Sequence, residues 1–371
     1  MTDSPHDNRI VPNRNRKGAD GRHCGLRIAD CRSFASPTWR RTLRSRRGRT
    51  GLACVAFLLL LALLGPLIAN DEPIVCRHCG AWYFPALVEV VHVLPGGSRL
   101  LGKSAPFRLP TFNAKRDLDP QAFAVWPLVR SGPEEVSGEI LRSPSRRHWL
   151  GTDEVGRAVV ARLVHGAAAS LKVGMAATFL AGVIGVIVGG AAGYFGSWVG
   201  ALLSRLIEIV VCFPVFFLVL GLMLWLEPGI GNVVLVIGLT RWTSIARYTR
   251  AEFIRLKSHD FVVAARASGA GPWRIMRRHL LPNALSPILV ALSFGVASAI
   301  LVETGLSYVG FGVGQSTSSW GNMLRVAWEH LETAPHLLYP PCVAIFLAVL
   351  GFNLLGDALR AATDPTATTV T

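Results

Sequence analysis

Charged residues are scarce: Asp, Glu, Lys and Arg make up 16% of the sequence, against about 25% in average soluble domains. With 51% hydrophobic residues and a mean hydropathy of +0.41, the 371 residues exclude an ordinary soluble enzyme. Cysteine is sparse too, at seven in the whole chain, which excludes a disulfide scaffold. Three of the seven (Cys54, Cys212, Cys342) stand inside apolar runs, where a thiol serves as a small packing group. No span or loop gathers His, Asp and Glu at spacings suited to metal or acid–base chemistry. An integral-membrane enzyme is therefore the distant alternative, and neither catalytic nor metal-ligating residues are expected.

Acidic residues are the rarest charges, 23 against 38 basic, for a formal +15. Residues 1–50 hold 13 basic and 4 acidic residues, 70–165 hold 12 and 10, and 166–371 hold 13 and 9. A basic tail can touch nucleic acid or anionic lipid, but one followed by an apolar segment more often sets membrane orientation. This tail lacks the interleaved aromatics of a nucleic-acid binder, offering only Phe34 and Trp39, so no nucleic-acid partner is expected. Rich in Arg, Asn, Asp and Gly, residues 1–50 read as a disordered basic tail.

What the sequence has in quantity is long uncharged runs. A helix crossing lipid needs about 20 apolar residues, because every backbone polar group must be satisfied within it. Gly51 to Ala69 is the first such run, and with no small-residue cleavage pattern after it the segment reads as a retained span, not a signal peptide. Val173 to Ser204 gives a second span to about Gly193, then a bend over Tyr194 to Trp198. Leu206 to Leu226 (kinked at Pro214), Ile230 to Ala246 (with Arg241 inside it), Ala284 to Val302 and Leu337 to Gly356 complete six expected helices.

Six arginines between Arg40 and Arg49 crowd the first span and place the N-terminus inside. Alternation then puts loop 247–283 inside, and its eight basic against two acidic residues agree. The expected organisation is a cytoplasmic tail (1–50), a first span (51–69), an extracytoplasmic insert (70–165), a five-helix core (166–357) with cytoplasmic loop 247–283, and a cytoplasmic tail (358–371). Both termini lie inside.

Two motifs mislead. Gly97 to Ser104 fits G-x4-G-K-[ST], but a phosphate-cradling loop needs a strand before it and a helix after. Leu87 to Leu94 could supply the strand, yet Pro106 and Pro110 forbid the helix, and the loop lies outside. No acidic strand end or L-S-G-G-Q stretch accompanies it. Cys76 and Cys79 have half a zinc-knuckle spacing, with no second pair in the loop; a strained disulfide or free thiols fit better.

Charges near spans deserve separate weighing. Glu208, Arg241 and Glu303 are candidate pathway residues, since intramembrane ionisable groups are costly and often functional. Each also stands near an expected span end, where snorkelling or a helix-end role is the plainer account. Gly185, Gly189, Gly190 and Gly193 read as close-packing positions between helices.

The inside loop is the most informative segment. Ser258 can cap a helix with Asp260 in its first turn, and Gly269 can end it. Pro272 can start a second helix and Pro282 stop it. Phe261, Ala264 and Ala265 then share a face of small and apolar groups that another protein can approach. An interfacial helix on lipid fits the residues equally well.

This loop resembles the E-A-A-x3-G-x9-I-x-L-P signature of binding-protein-dependent ABC transporter permeases. Ala264, Ala265, Gly269, Leu281 and Pro282 match it, while Val263 replaces the signature's Glu and His279 its Ile. Leu150-Gly151-Thr152-Asp153-Glu154-Val155-Gly156-Arg157 resembles the family's L-G-T-D-x-x-G-R block. Ala192 to Val199, Ser319 to Leu324 and Phe352 to Asp357 are similar to other blocks. The likeness covers the C-terminal two-thirds and points to the dipeptide/oligopeptide/nickel group, C-type subunit. Ala69 to Pro73, Tyr83 to Pro85 and the long first loop look like its microcin C/peptide uptake branch.

The resemblance implies an all-α integral membrane protein with six transmembrane helices in a type I ABC importer arrangement, carrying a large extracytoplasmic insert between helices 1 and 2. It implies a permease subunit, in the bacterial inner membrane, of an ATP-driven importer for peptides or peptide-like solutes, with nickel or another small solute as the alternative. Implied partners are a homologous second permease, two cytoplasmic ABC ATPase subunits and an extracytoplasmic solute-binding protein. ATP and Mg would be bound by the ATPase subunits and no cofactor by this chain. Phe261, Val263, Ala264, Ala265, Gly269, Leu281 and Pro282 would form the ATPase-coupling loop.

Overall fold

The computed structural model describes residues 41–78, 81–93 and 123–363. Helix α1 spans Arg46–Ile68, beginning before the uncharged run because the Ser45 side chain accepts from the Gly48 N–H at 3.0 Å. Three short antiparallel strands follow, β1 (Val75–His78), β2 (Ala81–Tyr83) and β3 (Ala124–Val125), in the order β2-β1-β3. Helix α2 covers Pro85–Val93 between the second and third strands. The expectation of an all-α chain is thus amended by a small sheet. Leu87 to Leu94 could have supplied a strand, but Pro85–Val93 is this helix; Gly97 to Ser104 lies outside the described residues.

Helix α3 (Val159–Phe195) is the central element. A bend at Gly196, φ +57°, leads to α4 (Ser197–Val211), then α5 (Val215–Met223) and α6 (Ile230–Lys257). After α7 (Asp260–Ala267), the short α8 (Pro272–Ile275) runs through a π-turn, Met276–Leu280, into α9 (Leu281–Val309). Helices α10 (Trp320–Glu329) and α11 (Tyr339–Thr363) close the fold.

Glycine spacing on α3 explains its contact with α6. A Cβ on Gly185 would lie 2.8 Å from the Trp242 carbonyl oxygen, and one on Gly193 2.8 Å from that of Arg250. At Gly189, between them, a Cβ would overlap the Ala246 carbonyl. Bare backbone every fourth residue lets two long helices approach without side chains between them. Helix α1 meets α11 the same way, where a Cβ on Gly51 would lie 2.7 Å from the Leu355 nitrogen. Between these pairs sits a core built on Leu58, Leu171, Ile300 and Trp320, all essentially inaccessible.

The six expected apolar segments are all helical, but their membrane character differs. Four helical stretches, 46–68, 159–195, 272–309 and 335–363, are long and apolar enough to cross a bilayer. A fifth is reached if α4 and α5 count as one broken span. Pro214 does more than kink that segment: the two helices diverge by 80°. Its ring excludes the carbonyl four residues back and it has no N–H to continue the ladder. Helix α6 is long but too polar by the same measure, so six apolar spans are not reached among the described residues.

Candidate coupling loop and intramembrane cavity

The loop after α6 is anchored at its root. Lys257 Nζ donates to the Tyr194 carbonyl oxygen at 2.6 Å, near the end of α3. Ser258 does not cap α7: its Oγ donates to the Arg255 carbonyl at 2.9 Å, so it completes α6. His259 occupies the N-cap with extended backbone and no side-chain bond, and Asp260 in the first turn complements the helix dipole.

Helix α7 touches the rest of the chain chiefly through Val262. That residue is fully buried in a cluster with Phe253, Leu256, Ile275 and Leu280. Val263 (55% accessible), Phe261 and Ala264 are exposed, and Ala265 is half-buried. The helix ends in a Schellman motif: Ala270 N–H donates to the Ala265 carbonyl and Gly269 N–H to that of Arg266, both at 3.0 Å. Gly269 has φ +81°, as a left-handed helix end requires.

Pro272 starts α8 as expected. Pro282 does not stop the helix that follows; it stands in the first turn of α9, and half-buried Leu281 and Pro282 continue the chain into the span. The π-turn directly before it supplies the reason. Widening the turn relieves the clash between the proline ring and the preceding carbonyls, and Asn283 Nδ2 donates to the His279 carbonyl at 2.6 Å. Arg255, Arg266, Trp273, Arg274, Arg277 and Arg278, within or close in sequence to α7, are all exposed.

The Leu150 to Arg157 block folds into a buried ionic knot before α3. Asp153 Oδ1 accepts from the Val155 and Arg157 N–H groups at 3.0 and 2.8 Å. Its Oδ2 accepts from Arg157 Nε at 2.8 Å and from Arg162 at 2.6 Å. Burial alone would push this carboxyl up. The Arg157 N–H and the two guanidiniums outweigh that and hold it below the usual aspartate value. Gly151 and Gly156, φ +82° and +89°, make the turns. The Thr152 hydroxyl donates to the Glu139 carbonyl at 2.5 Å and accepts from the Arg142 N–H. Sequence reading found the block by resemblance but not Arg162, whose role needs the turn to bring it back. Cys76 is buried in the sheet, and burial with the Glu72 charge raises its thiol; Cys79 lies outside the described residues.

The three candidate pathway charges part company. Glu208 is exposed and paired with Arg205 at 2.7 Å. Glu303 is wholly buried between helices, accepting from Ser307 Oγ at 2.8 Å and Ser170 Oγ at 3.3 Å. Arg241 is not at a helix end, because α6 continues to Lys257; it lines a cavity of about 250 Å³ with Thr178, Ser244, Tyr248 and Ser298. Those four were missed in the sequence, although Ser244 and Tyr248 follow Arg241 at helical spacing.

Long apolar helices, packed through bare backbone beside a cavity lined by Arg241, define a multi-pass membrane protein. The family described as binding-protein-dependent transport system inner membrane component matches residues 182–369, and the N-terminal TM domain of oligopeptide transport permease C matches residues 33–75. The chain belongs to this family of ABC transporter permeases, which are non-catalytic, multi-pass inner-membrane proteins. Among relatives, the dipeptide transport system permease protein DppC of Alkalihalophilus pseudofirmus is 38% identical, covering 61% of this chain and 74% of that protein. The inner membrane ABC transporter permease protein YejE of Escherichia coli is 34% identical over 88% of this chain and 96% of its own length. The glutathione transport system permease protein GsiD of Pectobacterium atrosepticum is 36% identical over 60% and 74%. Among solved structures, the inward-facing MetNI methionine ABC transporter aligns with a TM-score of 0.47 at 20% identity, over 55% of this chain.

Proposed function

We propose that this chain is a permease subunit of an ATP-driven importer for peptides or peptide-like solutes, and that α7 is its coupling element. The observation that carries the proposal is the mounting of α7. It is held to the bundle by one buried residue, Val262, and shows Phe261, Val263 and Ala264 outward. An apolar, small-residue face left uncovered on a helix fits a groove in another protein. In this reading the groove belongs to a cytoplasmic ATPase subunit, ringed on this side by the exposed arginines. ATP and Mg would be bound by two such subunits and no cofactor by this chain. A second permease completes the path, and a solute-binding protein meets residues 70–165 outside. Both termini and loop 247–283 are then cytoplasmic. The dipeptide and glutathione transport named for the relatives supports the solute class.

Closing of the ATPase pair would move α7, and the rigid continuation from Pro272 into α9 would carry that movement into the membrane. The π-turn places the wider helical turn where α8 joins the span, and Lys257 ties the root of the loop to α3. Val263 in place of an acidic residue leaves the coupling face neutral, so contact there rests on shape and apolar area.

The test is co-purification with the ATPase subunits from membranes. Ala264→Asp places an unpaired charge on the uncovered face and should abolish both association and ATP-dependent uptake, while the chain still inserts at normal level. Full association and uptake in that variant would remove α7 as the coupling element.

A further inference from the structure

Arg241 stands at membrane depth without a counter-charge. Gly238 abuts the Leu180 side chain and Gly185 abuts the Trp242 carbonyl, which sets Arg241 level with the middle of the uncharged run Val173 to Gly193. Among the described residues it makes no ion pair or hydrogen bond. The cavity it lines contains no carboxylate. Its polar lining besides the guanidinium is hydroxyls, Thr178, Ser244, Tyr248 and Ser298 from α3, α6 and α9, set among apolar Ala177, Ala181, Ile245, Ala291 and Phe294. Thr178 is 94% buried by its 6% exposure, and its Oγ1 has no hydrogen-bond partner.

A buried donor left unpaired is costly, and an unpaired cation in a span more so. Arg241, Ser244 and Tyr248 lie at i, i+3 and i+7, on one face of α6. Lipid cannot satisfy that face, whereas a solute passing through can. A guanidinium fork flanked by hydroxyls matches a carboxylate in charge and geometry. At about 250 Å³ the cavity falls below the roughly 300–1,000 Å³ of pockets that engulf a whole ligand. It suits the end group of a solute in transit.

We infer that this cavity is an anion-recognition site in the translocation path, where Arg241, assisted by Thr178 and Ser244, takes the terminal carboxylate of the transported peptide. The inference rests on the importer reading for its ligand. The site holds the carboxylate weakly, with hydroxyls completing the shell that water supplied, so that the solute can leave again.

The experiment uses the assembled importer in lipid, with this chain's native cysteines replaced and Ser244→Cys introduced. The thiol is labelled with an anionic and a cationic methanethiosulfonate. A positively lined cleft concentrates anions about tenfold or more, so the anionic reagent should label faster by that order. Arg241→Gln should bring the two rates together, and Arg241→Lys should keep them apart. Trialanine should slow the labelling, trialanine amide should not, and Arg241→Gln should abolish the difference. A rate ratio indifferent to Arg241→Gln, or equal slowing by the two peptides, overturns the site; an acidic group of the second permease pairing with Arg241 would give that result. Labelling needs no turnover. Loss of ATP-driven uptake in the unmodified complex would therefore count against the importer reading alone, and a flat rate ratio alongside normal uptake against the anion site alone.

Discussion

Lys257 Nζ lies 2.6 Å from the carbonyl oxygen of Tyr194 and 5.5 Å above the same residue's ring. The ammonium thus satisfies a carbonyl in the last turn of α3 while closing the end of α6, and cations are favoured at helix C-termini, as both of these are. Two helices that already touch through bare backbone are pinned where the loop to α7 begins. Lys257→Met removes a charge-assisted bond of about 1.5–3 kcal/mol, reduced by the half-exposed setting to about 1 kcal/mol. The solubilised chain should melt about 1–2 °C lower, with Lys257→Arg closer to wild type. Unchanged melting would show that the pin carries no energy.

Gly189 tests the backbone contact itself. A Cβ there would overlap the Ala246 carbonyl, and backbone on both sides cannot rotate away. Gly189→Val should separate α3 from α6 and lower the yield of folded protein severalfold. Gly221→Ala, where nothing lies within 4 Å, should express normally. Similar yields for the two variants would show that the helices tolerate spreading.

Gly269→Val isolates the loop direction. No atom lies within 4 Å of an added Cβ, so the cost is the left-handed backbone, about 1–2 kcal/mol. Relieving it turns α8 to a new direction. The variant should insert at near-normal level with ATPase association reduced and uptake lost. Ser258→Ala, which removes only a bond to the Arg255 carbonyl, should be mild. Normal uptake by Gly269→Val would sink the coupling assignment.

Asp153 predicts both a mutational and a pH effect. Asp153→Asn strands Arg162, which is only 2% exposed, and breaking such a pair costs about 3–5 kcal/mol. The wild-type carboxyl titrates lower folded than unfolded. Its stabilisation is therefore fully present above an unfolded value of about 3.9 and is lost as pH falls through the lower folded value. The melting difference between wild type and Asp153→Asn should be constant from pH 8 to 5. Below about pH 4 it should shrink by about 1.4 kcal/mol per unit. A gap that persists unchanged at pH 3 would contradict the assignment.

Sidedness follows from the proposed orientation. His330 Nε2 lies 3.2 Å from Glu154 Oε2, so the segment before α3 and the end of α10 share one side of the membrane. Reporters fused after residues 140 and 331 should both behave as extracytoplasmic, and one after residue 268 as cytoplasmic. Residues 140 and 268 on the same side would undo the topology.

Local chemistry was legible in the sequence where a residue acts on its own neighbours. The apolar runs are helices, Gly196 makes the expected bend, Gly269 has the positive φ a helix end asks for, and Pro272 opens a helix. The family resemblance rested on such short blocks and holds. Tertiary structure decided what depends on distant partners. Pro282 reads as a stop, yet a π-turn lets the helix run through it. Arg241 reads as a span-end charge, yet packing of α6 along the glycines of α3 carries the helix far beyond it and leaves the guanidinium in a cavity. Asp153 meets Arg162 because the chain between them turns back at Gly156, whose φ is positive. Leu87 to Leu94 has an apolar pattern that strand and helix share, and its described part, to Val93, is helix. Neighbour-scale preferences are set by backbone sterics and capping within a few residues. Burial, charge pairing and helix contact are set by residues far apart in sequence, as Gly189 and Ala246 are.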